Sequence, residues 1–354
     1  METQQAVLAD CLLSDGWKKW LAENKMLGID DQRLIEVLMQ NGVEEQAAME
    51  EVAALENHPY FQAGSWMAQR LKKTESVLDR YAELNQLRPS SRFQTMERRS
   101  NVPREEFLEN YYAANRPLVL TDLMNNWKAR TLWNPNYLKT ACGSEMVEVM
   151  AGRDADRHYE INSEAHKSSM LFGDYIDRIT QNGPSNDCYL VANNNLLKRK
   201  GMKHLYDDIE IFPEYLDREH TDGGVFFWFG PAGTVTPLHH DTMNIFMAQV
   251  YGRKRVTLIP SYQIHRVYND IGVYSEVDCE NPDYSKHPEF KDIQVQRLVL
   301  KPGEVLFIPV GWWHHVRSLD VSITVSFTNF QFPNNYEWSH PYIQRREEWQ
   351  TDAG

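Results

Sequence analysis

The chain has 354 residues, 42% of them apolar and 25% charged, with 10 Trp, which is enough apolar material for one large domain or two ordinary ones. Its 50 acidic against 37 basic side chains give a net charge of −13, which argues against a nucleic-acid substrate, because phosphates attract basic surfaces. The four cysteines, Cys11, Cys142, Cys188 and Cys279, form no C-x-x-C pair and so argue against a zinc finger or a disulfide framework; with no secretory signal and no membrane-length apolar run, the expected location is the cytoplasm.

Along the chain, residues 10–88 carry a helical pattern. Trp17, Trp20 and Leu21 recur at helical spacing, and Asp30-Asp31 stands where an N-cap belongs, ahead of Leu34, Ile35, Leu38 and Met39. Glu44 to Leu55 reads as a third helix closed by His58-Pro59, since a residue before proline is pushed out of the helical region. A longer helix follows, with Trp66, Leu71, Val77, Leu78, Tyr81 and Leu84 on or beside one stripe, and Arg88-Pro89-Ser90-Ser91 reads as a linker. Between Gly28 and Gln69 stand eight acidic side chains and one arginine. Such a run fits either a solvated face of a helical bundle or a docking module for a peptide or protein, and residues 1–90 leave both open.

The texture changes over residues 91–354. Phe107–Tyr112 and Asn134–Thr140 still read as helices, and Arg116–Leu120 as a buried strand. After Gly223 come short β-runs: Val225–Phe229, Thr236–Asp241, Ile245–Val250, Arg253–Ile259, Gln296–Leu300, Val305–Ile308, Trp313–Arg317 and Ser322–Phe327. Short strands separated by turns such as Tyr251-Gly252 and Pro302-Gly303 imply a mainly β fold, an antiparallel sandwich or jelly roll with flanking helices, its core over residues 220–330.

Within that core, Thr236-Pro237-Leu238-His239-His240-Asp241 holds an H-x-D pair. Residues i and i+2 of a strand project from one face, so His239 and Asp241 can reach one metal while His240 points away. The later run Trp312-Trp313-His314-His315 supplies a third ligand, and strand parity alone does not choose between its two histidines. Two imidazoles and a carboxylate on one side of an ion leave the opposite positions open, as in non-haem Fe(II) oxygenases. Alone, an H-x-D pair is a weak signal. Lys254, at the start of a strand, is predicted by alternation to face inward, away from Arg253 and Arg255; a solvated basic turn is the bland alternative.

The run from Phe226 to Phe330 resembles the JmjC dioxygenases, in particular the branch typified by the asparaginyl hydroxylase that inhibits hypoxia-inducible factor. The shared motifs are Gly230-x-x-Gly233-x-Val235-Thr236-Pro237-x-His239-x-Asp241, Ala248-Gln249-x-x-Gly252-x-Lys254-Arg255, Val277-Asp278-x-x-Asn281-Pro282-Asp283-Tyr284, Pro302-Gly303-x-Val305-Leu306-x-Ile308-Pro309, Trp312-Trp313-His314-His315 and Ile323-Thr324-Val325. Weaker similarity reaches back through Trp127 to Arg116-Pro117. The resemblance implies a double-stranded β-helix that uses Fe(II), 2-oxoglutarate and O2. It makes His239, Asp241 and His314 the iron ligands and Lys254 the partner of the far carboxylate of 2-oxoglutarate. Thr236 and Tyr189 are implied to assist at that carboxylate, though a core role suits Tyr189 equally.

There are departures. Ser326 stands where that branch has an asparagine near the co-substrate, Thr328 replaces a tryptophan, Asn244 is displaced by one position, and the tail after Phe330 is short for the branch's dimerisation element. Oligomeric state is left open. The leading expectation is hydroxylation of an amino-acid side chain in a protein or peptide, with decarboxylation of 2-oxoglutarate to succinate. N-methyl-lysine demethylation, hydroxylation of a small metabolite, and a non-catalytic, cupin-like metal-binding role are the alternatives.

Overall fold

The computed structural model describes residues 13–87, 96–191, 196–269 and 272–336. The expected linker at Arg88–Ser91 lies outside these residues. The chain divides into two compact units, Met1–Tyr81 and Ala82–Gly354.

In the first unit, α1 (Asp15–Leu27), α2 (Asp31–Gln40) and α3 (Glu45–Glu56) pack Leu21, Leu34, Leu38, Ala48 and Val52 into a small core. Ser14 and Asp30 cap the first two helices by accepting the backbone N–H groups of Trp17 and Arg33, which would otherwise lack partners at a helix start. The fourth helix, α4 (Pro59–Gln86), begins at the predicted His58-Pro59 step and buries none of its side chains.

The second unit is a β-sandwich. One sheet has the order β1-β2-β11-β8-β13-β6 and the other β10-β9-β12-β7. The strands are β1 (Arg98–Arg99), β2 (Leu118–Leu120), β6 (Val225–Gly230), β7 (Val235–His239), β8 (Ile245–Tyr251), β9 (Lys254–Ile259), β10 (Gln296–Leu300), β11 (Val305–Ile308), β12 (Trp313–Ser318) and β13 (Ser322–Phe327). All pairings are antiparallel except β1 with β2. A third sheet, β4-β3-β5, joins β3 (Met146–Ala151), β4 (Lys167–Leu171) and β5 (Cys188–Tyr189), flanked by α5 (Pro135–Cys142) and α6 (Phe172–Gln181).

Alternation explains where the core sits. Along β11, Val305 and Phe307 join the cluster beneath the flanking helices, while Leu306 and Ile308 point between the sheets. Phe107 anchors the outer layer, its ring 4.9 Å from that of Phe307 and 5.4 Å from that of Phe246. Burying a side chain of this size contributes about 1.5–3 kcal/mol. Between the sheets, Val256, Leu258, Leu298, Leu300 and Leu306 fill one part of the sandwich. Elsewhere the interior stays hollow and forms the site.

Two local expectations differ from the structure. Phe107–Tyr112 is not one regular helix: an α-turn over Arg104–Phe107 runs into a π-helical stretch, Leu108–Tyr112. The strand read as Thr236–Asp241 runs from Val235 and stops at His239, so Asp241 lies beyond it.

Candidate metal centre and its cavity

His239, at the end of β7, and His314, near the start of β12, are direct cross-strand partners. Their ring centroids are 4.0 Å apart. Each imidazole donates from Nδ1 to the carbonyl two residues earlier in its own chain: His239 to Pro237 at 2.7 Å and His314 to Trp312 at 3.0 Å. That bond fixes the tautomer and leaves the Nε2 lone pair to face inward, the arrangement in which imidazole binds a metal. Trp312 is itself held by Asn115, whose backbone and side-chain oxygens accept its indole N–H at 2.9 and 2.7 Å.

Asp241 completes the group. Its carboxylate lies 3.3 Å from Nε2 of His314, and one donor atom from each of the three residues falls within 4.8 Å of the others. Strand alternation does not place it, because β7 has ended; the turn after the strand does, with the Asp241 carbonyl accepting the N–H of Gly311 at 3.1 Å. His240 is buried against the Trp313 ring, 4.7 Å away and outside the cavity. His315 lies on the opposite face of β12 from the cavity.

The charge states suit a cation. Burial pushes the His239 imidazole down to about 4, with the neighbouring His314 acting in the same direction, so it is neutral near pH 7. Burial alone would raise the Asp241 carboxyl, yet the adjacent His314 and His239 side chains hold it below its ordinary value. The neutral His239 imidazole and the ionised Asp241 carboxylate are each in the protonation state in which that group binds a metal. This N/N/O donor set, open toward a cavity, fits Fe(II) of the facial-triad kind.

The cavity beside the triad has a volume of about 310 Å³ and is lined by Tyr189, Phe226, Trp228, Thr236, Met243, Met247, Lys254, Thr324 and Ser326, among others. Thr236 and His239 are three residues apart yet face it together. The reason is a β-bulge: Thr236 pairs with Val316 and His239 with His314, so three steps of β7 oppose two of β12. Pro237 falls inside the bulge, where its missing N–H does no harm.

Lys254 is 2% exposed and enters the cavity, whereas Arg253 points out to Asp320 and Arg255 is exposed, as alternation predicts. Its ammonium donates to the hydroxyl of Tyr189 at 3.3 Å. Among the described residues no carboxylate forms an ion pair with it, and burial alone pushes its pKa down to about 7. A buried cation without a counter-ion is costly in isolation and is well suited to receive an anionic ligand. Burial raises the Tyr189 phenol, so the hydroxyl keeps its proton and can donate it onward.

Ser326 also lines the cavity, but its hydroxyl accepts the Trp228 indole N–H at 2.8 Å. Thr324 beside it donates to Gln249 at 2.8 Å. Asn244 lies outside the cavity lining: its side-chain oxygen accepts the Val310 N–H at 2.9 Å and its amide donates to Asn334. Sequence reading missed Trp228, which alternation along β6 could have aimed inward, and Arg153, which no local pattern singles out.

Among the described residues no helix is long and apolar enough to cross a membrane. The cupin-like domain family matches residues 103–335. The chain is 36% identical over 243 residues to lysine-specific demethylase JMJ30 of Arabidopsis thaliana, covering 66% of this chain and 54% of that protein. It is 33% identical over 230 residues to lysine-specific demethylase 8 of Xenopus tropicalis, with coverages of 63% and 50%. Against tRNA wybutosine-synthesizing protein 5 of Gallus gallus it is 29% identical over 240 residues, covering 64% of this chain and 74% of that protein. The chain thus spans about half the length of the two demethylases. These likenesses support the resemblance to JmjC proteins as a class and do not support the asparaginyl hydroxylase branch. With the match running over residues 103–335, the chain belongs to the cupin-like domain family, alongside the JmjC oxygenases that use Fe(II), 2-oxoglutarate and O2.

Proposed function

We propose that this protein is an Fe(II)- and 2-oxoglutarate-dependent oxygenase that hydroxylates a side chain of a protein or peptide. The observation that carries the reading is the presence in one cavity of a metal triad and a buried lysine that has no carboxylate partner among the described residues. A structural metal site needs no such cation; a site for a dicarboxylate does.

Nε2 of His239 and His314 and the carboxylate of Asp241 would hold the iron. When bound, the metal supplies the activation of O2 that couples decarboxylation of 2-oxoglutarate to oxidation of a substrate C–H bond. The chain does the rest. Lys254 receives the far carboxylate, with the hydroxyls of Thr236 and Tyr189 donating beside it and Ser326 bordering the same space. Phe226, Trp228, Met243 and Met247 supply apolar walls that exclude water from the reacting centre. The helical region over residues 1–90 enters the proposal as a docking surface for the substrate, on the strength of its acidic run.

A second reading, N-methyl-lysine demethylation, is favoured by the names of two relatives, both lysine-specific demethylases. The two readings differ in products. Incubation of the iron-loaded protein with 2-oxoglutarate and a library of methylated and unmethylated peptides should yield succinate together with a peptide heavier by one oxygen. Formaldehyde with loss of a methyl group would transfer the proposal to demethylation. Oxidation of free metabolites alone would remove the protein substrate.

A further inference from the structure

Arg153 is fully buried, yet it is absent from the cavity lining. Its guanidinium lies between two rings, 4.2 Å from the centroid of Tyr159 and 5.3 Å from that of Tyr189. One nitrogen, Nη2, donates to Glu160 and to the carbonyl of Val235, both at 2.8 Å. The Tyr159 hydroxyl donates to the same carbonyl at 3.0 Å. That carbonyl belongs to the peptide joining Val235 to Thr236. A single cation therefore touches the ring of Tyr189 on one side and the backbone of Thr236 on the other.

We propose that Arg153 is a positioning residue for 2-oxoglutarate, setting the hydroxyls of Tyr189 and Thr236 against the carboxylate that Lys254 receives. This rests on the function proposed above. The chemistry of the position favours it over a packing role. Nε and Nη1 of Arg153 are buried with no hydrogen-bond partner. Leaving such donors unmade costs free energy, and an apolar side chain of similar volume would fill the space without that cost. An apolar side chain, however, could neither hold the Val235 carbonyl nor stack a charge on the Tyr189 ring. Val235 is held on its other side as well, where its N–H, part of the preceding peptide, donates to Asn186 at 2.8 Å. Thr236 thus leaves a clamped peptide just before the bulge that aims it into the cavity, and Tyr189 is held between a cation behind its ring and the ammonium at its hydroxyl.

The test uses the full chain loaded with Mn(II), titrated calorimetrically with 2-oxoglutarate, and then Fe(II)-loaded protein in turnover. Arg153→Gln should weaken 2-oxoglutarate binding about tenfold or more while the Mn(II) affinity stays at the wild-type value. Arg153→Lys should recover part of the loss. In turnover, KM for 2-oxoglutarate should rise while kcat changes by less than about twofold, the mark of lost ground-state binding. Tyr159→Phe removes one of the two donors on the Val235 carbonyl at nearly constant volume and should weaken 2-oxoglutarate a few-fold. Wild-type affinity in Arg153→Gln would overturn the role. So would a parallel loss of metal and 2-oxoglutarate affinity with a lowered Tm, which is how a merely structural residue behaves. If Arg153→Gln does not fold, Tyr159→Phe decides, and unchanged affinity there overturns the role. Failure of the wild-type protein to bind 2-oxoglutarate would sink the proposed function and this role together; binding by wild type without change in the variants would sink this role alone.

Discussion

His239 and His314 face one another across β7 and β12 in register, rings 4.0 Å apart, each donating its Nδ1 proton to a carbonyl two residues earlier in its own chain. The strands thereby present two preset Nε2 atoms to the point where the Asp241 carboxylate also arrives.

This pairing separates the adjacent histidines. His314→Ala should lower Fe(II) affinity by more than the roughly 10–100-fold that losing an outer-sphere partner costs. His315→Ala, on the opposite face of β12, should leave that affinity within a few-fold of wild type. Metal content after dialysis against a weak chelator measures both. Equal losses would contradict the assignment.

Lys254→Met removes the buried ammonium while keeping a similar volume. The 2-oxoglutarate dissociation constant should rise by tenfold or more, following the roughly 1.5–3 kcal/mol of a hydrogen bond to a charged group, while Fe(II) affinity is unchanged. Competition with a fluorescent active-site ligand would read it. A matching fall in iron affinity would argue that Lys254 supports the fold instead.

The same lysine should make ligand binding pH-dependent. Its pKa in the ligand-free protein is about 7, against an ordinary value of 10.5, because burial disfavours the charged form. Above pH 7 the folded protein is therefore short of a proton that the unfolded chain still carries up to its higher pKa. The resulting penalty on the ligand-free fold is full below about 7 and fades as the pH rises toward 10.5. An incoming carboxylate restores the proton. Binding of 2-oxoglutarate above pH 7 should take up a proton and weaken as pH increases, as seen by calorimetry in buffers of different ionisation enthalpy. Lys254→Met should abolish the uptake.

Gly252 turns the chain from β8 into β9 at φ +67°, and a Cβ there would lie 2.1 Å from the Val321 carbonyl oxygen. Gly252→Ala should cost at least about 1–3 kcal/mol in denaturant unfolding, the range for a non-glycine residue held in the left-handed region, with the contact adding to it. Because Lys254 opens the next strand, 2-oxoglutarate affinity should fall as well.

Much of this site is legible in one dimension because it rests on short-range rules. Period-2 alternation turns Lys254 inward between Arg253 and Arg255, and the Tyr251-Gly252 turn marks where its strand begins. The choice of His314 over His315 is different in kind: it depends on which residue of β12 lies opposite His239, a long-range register that one strand's pattern does not contain. The bulge at Pro237 likewise breaks the alternation that would otherwise send Thr236 and His239 to opposite faces. Asp241 reaches the site from a turn, where strand parity has no force. Arg153 is the extreme case. Its neighbours Tyr159, Tyr189 and Val235 converge only in the folded chain, and nothing near it in sequence marks it as more than a charged residue in a loop.

The most direct measurement is an anaerobic titration of the Fe(II)-loaded protein with 2-oxoglutarate, followed in the visible region. The wild-type protein should develop the absorption band of an iron-bound 2-oxo acid, saturating at one equivalent, and Asp241→Ala should not. A wild-type protein that binds iron yet shows no such band would contradict the assignment of this cavity to 2-oxoglutarate.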